Sequence, residues 1–323
     1  QKCWLVQLDV VARPKNIFSE YSYFSSYSKY WLIHCKKLFK TVEKNISISR
    51  NDLIVEIASN DGYLLKNFKN KYSNILGIEP AKNIARIANK NNIKTLNKFF
   101  TYSLSKKLIQ EYSKSKLIIS LNVLAHVPNI NDFVKGIKNL LQDDGTWLIE
   151  FPHLLNLIKH IQFDTIYHEH FSYLSIMSIQ YLFDQHDLSI YDCERIPTHG
   201  GSLRVYVSHK GRFKKTRRFR NVLSDEYNNN LNKNSPYKNF FRLTEEKRTR
   251  INNFFNKYKN KIIYAYGAPA KATTLFNFCG LNSENVKKII DSSPHKQNKY
   301  IPGTDIFITD KSILKKETPD III

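Results

Sequence analysis

The stretch from Leu53 to Leu65, LIVEIASNDGYLL, decides how the rest of the chain is read. LIVEIA is a short apolar run interrupted by one acid, the pattern of a strand buried on both faces. Ala58, Ser59, Asn60, Asp61 and Gly62 then form a turn of small and polar residues, and a helix is expected to start across Gly62 to Asn70. A strand, a tight turn and a helix present backbone amides at the strand's carboxyl end, where open parallel sheets bind ligands. The dinucleotide fingerprint G-x-G-x-x-G is absent. Ala58 stands where many such turns carry glycine, so the backbone there is expected to manage without the freedom of a positive φ.

Working outward, NILGIEP (74–80) reads as a second strand followed by the helical KNIARIANK, and KLIISLNVL (116–124) as a third, followed by a helix over 130–141. After the turn QDDG comes GTWLIEFP (145–152), another strand. This alternation predicts an α/β fold, one doubly wound parallel sheet. Residues 163–187 are mixed, and 189–210 read as two antiparallel strands around a loop. The polar stretch from Lys210 to about Asn260 suits one long connecting helix. KIIYAYGAPAKATTLFNF (261–278) then repeats strand, turn and helix, and KKIIDSSP and PDIII add strands, so a second α/β unit closes the chain.

The 323 residues leave room for two domains, and 42% hydrophobic with 13% aromatic residues exclude a disordered chain. No apolar run approaches the roughly 20 residues of a membrane span, and QKCWLVQLDVV lacks signal-peptide order, so a cytoplasmic protein with no membrane partner is expected. Cys3, Cys35, Cys193 and Cys279 lie too far apart to spell a disulfide framework or a complete zinc site. The net charge of +22, densest in KKTRRFR (214–220), raises a basic nucleic-acid-binding protein as a rival reading. A lysine-rich solvated surface explains the same charge, and a basic cleft also suits a diphosphate-bearing substrate.

Three segments are expected to converge on one crevice: the Glu56–Gly62 turn, Glu79, whose carboxylate can accept both hydroxyls of a ribose, and Asn122 of NVLAHVP. DTIYHEHFSY (164–173) packs two histidines, two acids and two tyrosines into a short segment that a plain core rarely tolerates. His-x-His can offer two imidazoles to a metal, but further ligands at convincing spacing are missing. The other reading is acid/base work by His170 or His168, with Glu169 and Tyr167 orienting the imidazole or donating to an oxyanion. His199 and Gly200, in HGGS, open a loop where glycine allows close approach to a ligand, although a plain hairpin explains it equally. Lys271, in GAPAK, sits where a phosphate could meet a helix N-terminus; the Walker ending is missing.

Taken together, QKCWLVQL, YSYFSSYS, VEIASNDGYLL, GIEPAKNIA, NVLAHVP, DTIYHEHFSYLS, HGGSLRVYV, YGAPAKATTLFN and KQNKYIPGTDI resemble, in order and over nearly the whole length, the bacterial nucleotide-sugar C-methyltransferases of deoxysugar pathways. That resemblance implies a class I S-adenosylmethionine (SAM) domain with a Rossmann-like sheet, preceded by a small zinc-binding module and followed by a Rossmann-like substrate domain. In this numbering it implies a zinc-module remnant over 1–15, a SAM domain over 16–212 and a substrate domain over 213–323, the chain being a fragment truncated at both ends. Cys3 matches the module's last cysteine, its partners falling before Gln1, so zinc is not expected here. The resemblance further implies His170 as catalytic base, Tyr167 and Glu169 beside it, and Tyr21 or Tyr23 lining the pocket; His168, His199, Gly200 and Lys271 are expected toward the substrate.

The implied reaction is methylation of a nucleotide-linked 4-keto-6-deoxy sugar at C-3 or C-5. A base removes the proton next to the ketone, and the enolate takes the methyl group. Histidine is the side chain whose ordinary pKa suits that task near neutrality, and such assistance contributes roughly 10²–10⁴-fold. An O- or N-methyltransferase acting on a sugar or other small molecule is the second enzyme reading. A monomer working without nucleic acid is expected.

Overall fold

The computed structural model describes residues 3–10, 12–20 and 24–323, which form two compact units. The first holds the residues up to 155 and 168–232; the second holds 156–167 and 233–323.

The first unit is built on seven strands: β1 (Leu53–Ile57), β2 (Asn74–Ile78), β3 (Thr95–Leu96), β4 (Ser115–Leu121), β5 (Leu141–Pro152), β6 (Leu188–Ile196) and β7 (Ser202–His209). Their order across the sheet is β3-β2-β1-β4-β5-β7-β6. β1 to β5 run parallel, and β7 pairs antiparallel with both β5 and β6. The order reverses between β1 and β4, so the carboxyl ends of those two strands open the crevice where such sheets take ligands.

Side chains alternate along β1. Leu53, Val55 and Ile57 enter one core, whereas Ile54 enters the other, beneath α1 (Lys29–Asn45). Trp31, Cys35, Leu38 and Val42 line the buried face of α1, and Ser28 caps it by accepting from the Trp31 amide at 3.2 Å. Glu56, next but one to Ile54, shares the α1 side of the sheet.

The helix expected over Gly62–Asn70 is a 3₁₀ turn at Leu65–Asn67. Tyr63, Leu64, Leu65 and Phe68 are all buried, a spacing that one helical face cannot accommodate. The single helix expected over 210–260 is two, α2 (Arg217–Asn228) and α3 (Ser235–Lys257). Phe219 and Val222 of α2 lie in the first unit's core, which therefore extends past the expected boundary at 213. Residues 156–167 go with the second unit instead. There the Phe163 ring packs 5.0 Å from Phe278, and Lys247 donates to the Ile161 carbonyl at 3.3 Å.

The second unit has its own sheet and core. β8 (Ile263–Tyr266) lies between β9 (Lys288–Ile290) and Ile321–Ile322, all parallel, and α4 (Ala270–Cys279) follows it, closed by Gly280 at φ +70°. Among the described residues no helix is long and apolar enough to cross a membrane, and all four cysteines are free.

Gly77 of β2 lies beside Glu56 and behind the turn that follows it. A Cβ there would stand 2.4 Å from the Ser59 hydroxyl and 2.7 Å from that of Thr95. Gly77→Ala is expected to cost about 1–3 kcal/mol in urea unfolding, as overpacking does. Unchanged stability would show that the turn yields freely.

Candidate active site

The turn after β1 alternates into left-handed backbone, with φ +54° at Ala58, +48° at Asn60 and +80° at Gly62. Ala58 therefore adopts the conformation that it was expected to avoid, at a steric cost of roughly 1–2 kcal/mol. The turn is braced by Glu79, whose two oxygens accept the Asn60 amide at 2.9 Å and the Ala81 amide at 2.8 Å. Glu79 thus holds the turn; with about four lone-pair sites, a carboxylate keeps capacity for a ribose. The side chains of Asn60 and Asp61 are also partly committed. Asn60 Oδ1 accepts the Ser25 amide at 2.9 Å, and Asp61 Oδ2 accepts the Ser26 hydroxyl at 2.5 Å.

What remains is a set of buried oxygens without a hydrogen-bond partner: both of Glu56, Ser59 Oγ, Asp61 Oδ1 and Asn122 Oδ1. They lie at the carboxyl ends of β1 and β4. Asn122 has φ +55°, its amide donating to the Glu150 carbonyl at 2.8 Å. Burial holds the Glu56 carboxyl well above its ordinary range, and the charges of Glu79 and Asp61 add to the shift. Tyr63 and the Leu65 amide pull it the other way. Carboxylates only accept, so this set suits a ligand rich in donors and positive charge. SAM, with its ammonium, sulfonium and ribose hydroxyls, fits that description.

The YHEHFSY segment meets a residue that sequence reading quoted but did not single out. The His126 ring, just past Asn122, lies 4.9 Å from that of His170, edge to face, and 5.7 Å from Phe18. Its Nδ1 lies 2.7 Å from the Glu169 carbonyl, which can only accept, so Nδ1 carries the proton and Nε2 the lone pair. Although part of the ring reaches the surface, burial first and His170 second lower the His126 pKa to about 3. The available signal was its place at the end of β4.

A second polar cluster was also not foreseen. Arg204 donates to Glu150 at 2.6 Å, and His34 of α1 meets the other oxygen of Glu150 at 2.7 Å, both carboxylate oxygens being buried. Trp31 stacks on His34 at 4.8 Å and meets His199 edge-on at 5.4 Å. His199, Gly200 and Gly201 all have positive φ, at +53°, +78° and +107°. His168 lies in the first unit with His170, whereas Tyr167 and Lys271 belong to the second. There the Ala268 amide, next to the proposed phosphate position, donates to Asp291 at 2.7 Å. Tyr21 and Tyr23 lie outside the described residues. Among those described, no cluster of His, Cys, Asp or Glu could hold a metal, Cys3 and His168-x-His170 included.

Comparison with known proteins matches residues 30–192 to a methyltransferase domain and 197–323 to a "C-methyltransferase C-terminal domain". The fold is therefore that of a class I SAM-dependent methyltransferase. The C-methyltransferase NovU of Streptomyces niveus is 31% identical over 99% of this chain and 77% of its own length. The chain belongs to the SAM-dependent C-methyltransferase family. Similar solved structures include magnesium protoporphyrin IX methyltransferase of Synechocystis PCC 6803 with bound SAH, at 12% identity and TM-score 0.43 over 55% of this chain and 83% of that one. Another is the PH0226 protein of Pyrococcus horikoshii OT3, at 12% identity and TM-score 0.45 over 61% and 98%.

Because the His126 pKa falls on folding, the unfolded chain binds the extra proton first. The stability that the neutral imidazole brings is present above about 6.5 and is lost as pH falls toward about 3. His126→Phe is expected to lose less stability than the wild type over that window in denaturant titrations at stepped pH. Parallel curves would refute the shift.

Proposed function

We propose that the protein methylates a carbon next to the ketone of a nucleotide-linked 4-keto-6-deoxy sugar, with His170 as the base. The observation that carries this reading is the His126–His170 pair. Two imidazoles this close hold at most one proton between them near neutrality, and burial keeps His126 neutral, leaving His170 to receive it. A base poised to take a proton is what methylation at carbon requires, because the acceptor must first become an enolate.

Bound SAM supplies an electrophilic methyl group on a sulfonium centre. Glu56 would hold its ammonium and Glu79 its ribose, and the unpartnered oxygens of Asp61, Ser59 and Asn122 would complete the surround. His170 takes the proton from the carbon beside the ketone. His126 stays neutral, so no second positive charge depresses the basicity of its neighbour. Tyr167 is the candidate donor to the enolate oxygen, and His168 and His199 line the acceptor side.

With a dTDP-4-keto-6-deoxy sugar in deuterated water, deuterium should wash into the carbon next to the ketone. His170→Asn should slow that exchange by roughly 10²–10⁴-fold. Exchange at the wild-type rate would remove His170 as the base, and a product methylated on oxygen or nitrogen by NMR would remove the substrate assignment.

The carboxylate set gives an independent check. A cationic ligand favours ionised Glu56, so SAM binding should take up fewer protons than it releases, and affinity should rise with pH. Calorimetry in buffers of different ionisation enthalpy measures the release. Glu56→Gln should abolish it and weaken binding; unaltered proton release in that variant would assign it elsewhere.

A further inference from the structure

Away from the donor crevice, α2 carries Phe219, Val222 and Glu226 on its buried face, so a carboxylate occupies a position that the stripe would give to an apolar side chain. Glu226 is wholly buried, and an uncompensated charge there would cost several kcal/mol. Three donors meet it. The amides of Ile176 and Met177, at the start of helix Ile176–Asp184, donate at 2.7 and 2.9 Å, and His153 Nε2 lies 2.7 Å from the oxygen that Ile176 shares. A carboxylate can only accept, so His153 Nε2 carries a proton. Its Nδ1 is buried and makes no hydrogen bond.

The position of His153 gives this pair a consequence for the site. His153 directly follows β5, and its amide donates to the Gly201 carbonyl at 3.1 Å, in the HGGS turn. On its other side it bridges to Leu174, whose carbonyl accepts the Leu154 amide at 2.9 Å, so it also holds the end of the YHEHFSY segment. The helix that Glu226 grips begins just after that segment. One buried pair therefore fixes both loops: the His168–Tyr173 segment through its downstream helix and Leu174, and the His199–Ser202 turn through Gly201.

We infer that Glu226 and His153 are positioning residues that set His170 at the distance and angle proton abstraction requires, without touching the substrate. The inference rests on the reading of His170 as base. Glu226→Gln removes one acceptor oxygen and turns an N–H toward amides that need an acceptor. His153→Leu removes the third donor, and His153→Gln keeps an N–H at the place of Nε2.

The test uses the whole chain, S-adenosylhomocysteine affinity as the readout of the donor side, and deuterium wash-in with the same sugar as the readout of abstraction. Glu226→Gln and His153→Leu should fold, bind S-adenosylhomocysteine within about twofold of wild type, and slow exchange by about 10–100-fold, the loss that a misplacement near 1 Å brings. His153→Gln should restore most of the rate. Adding Glu226→Gln to His170→Asn should slow residual exchange by less than about twofold, since the pair acts through His170. Undiminished exchange in the two disrupting variants would overturn the inference. So would an equal further loss in the His170→Asn background, or failure of both variants to fold, either of which would make the pair a packing element. Wild-type exchange in His170→Asn alone would instead sink the reading of the base, whatever Glu226 does.

Discussion

The structure turns on the crowding of Glu56, Asp61 and Glu79 around one left-handed turn at the end of β1. Three carboxylates in a desolvated place repel one another, and each must find donors or give up its charge. They stand at successive degrees of satisfaction. Glu79 spends both oxygens on backbone amides, Asp61 spends one on Ser26, and Glu56 has no hydrogen bond at all. The first braces the turn, the second ties it to Ser26, and the third is left without a partner.

Elsewhere in the first unit, buried polar pairs tie separate elements together. Arg204, Glu150 and His34 link α1 to β5 and β7, and Glu226 on α2 meets His153, just after β5, and the amides at the start of helix Ile176–Asp184. Such pairs gain little net stability over apolar packing, because desolvation consumes most of their attraction. Their value is directional. A carboxylate that needs three donors admits one arrangement of the elements that supply them, whereas a leucine at Glu226 would tolerate several.

The elements with a strong period were legible. β1, β2, β4 and β5 appeared as apolar runs between turns, and the second unit's strand-turn-helix at Lys261–Phe278 was read within a few residues. The Gly62–Asn70 helix and the single helix over 210–260 failed for one reason: their local pattern was overridden by what each segment had to bury. Tyr63, Leu64, Leu65 and Phe68 all turn inward, and Phe219 and Val222 commit Arg217–Asn228 to the first core. Ala58 failed differently. Its composition argued against a left-handed backbone, but Glu79's grip on the Asn60 amide determines the turn regardless.

By itself, the sequence determined the α/β class, the strand and turn at the end of β1, and the concentration of titratable residues in YHEHFSY, because these depend on residue type and local spacing. Only the tertiary structure decided which groups remain available. That Asn60 and Asp61 are half spent, that His126 faces His170, and that a histidine after β5 answers a glutamate on α2 are facts of long-range contact. No local pattern encodes them, since each partner looks ordinary until the fold removes water from between them.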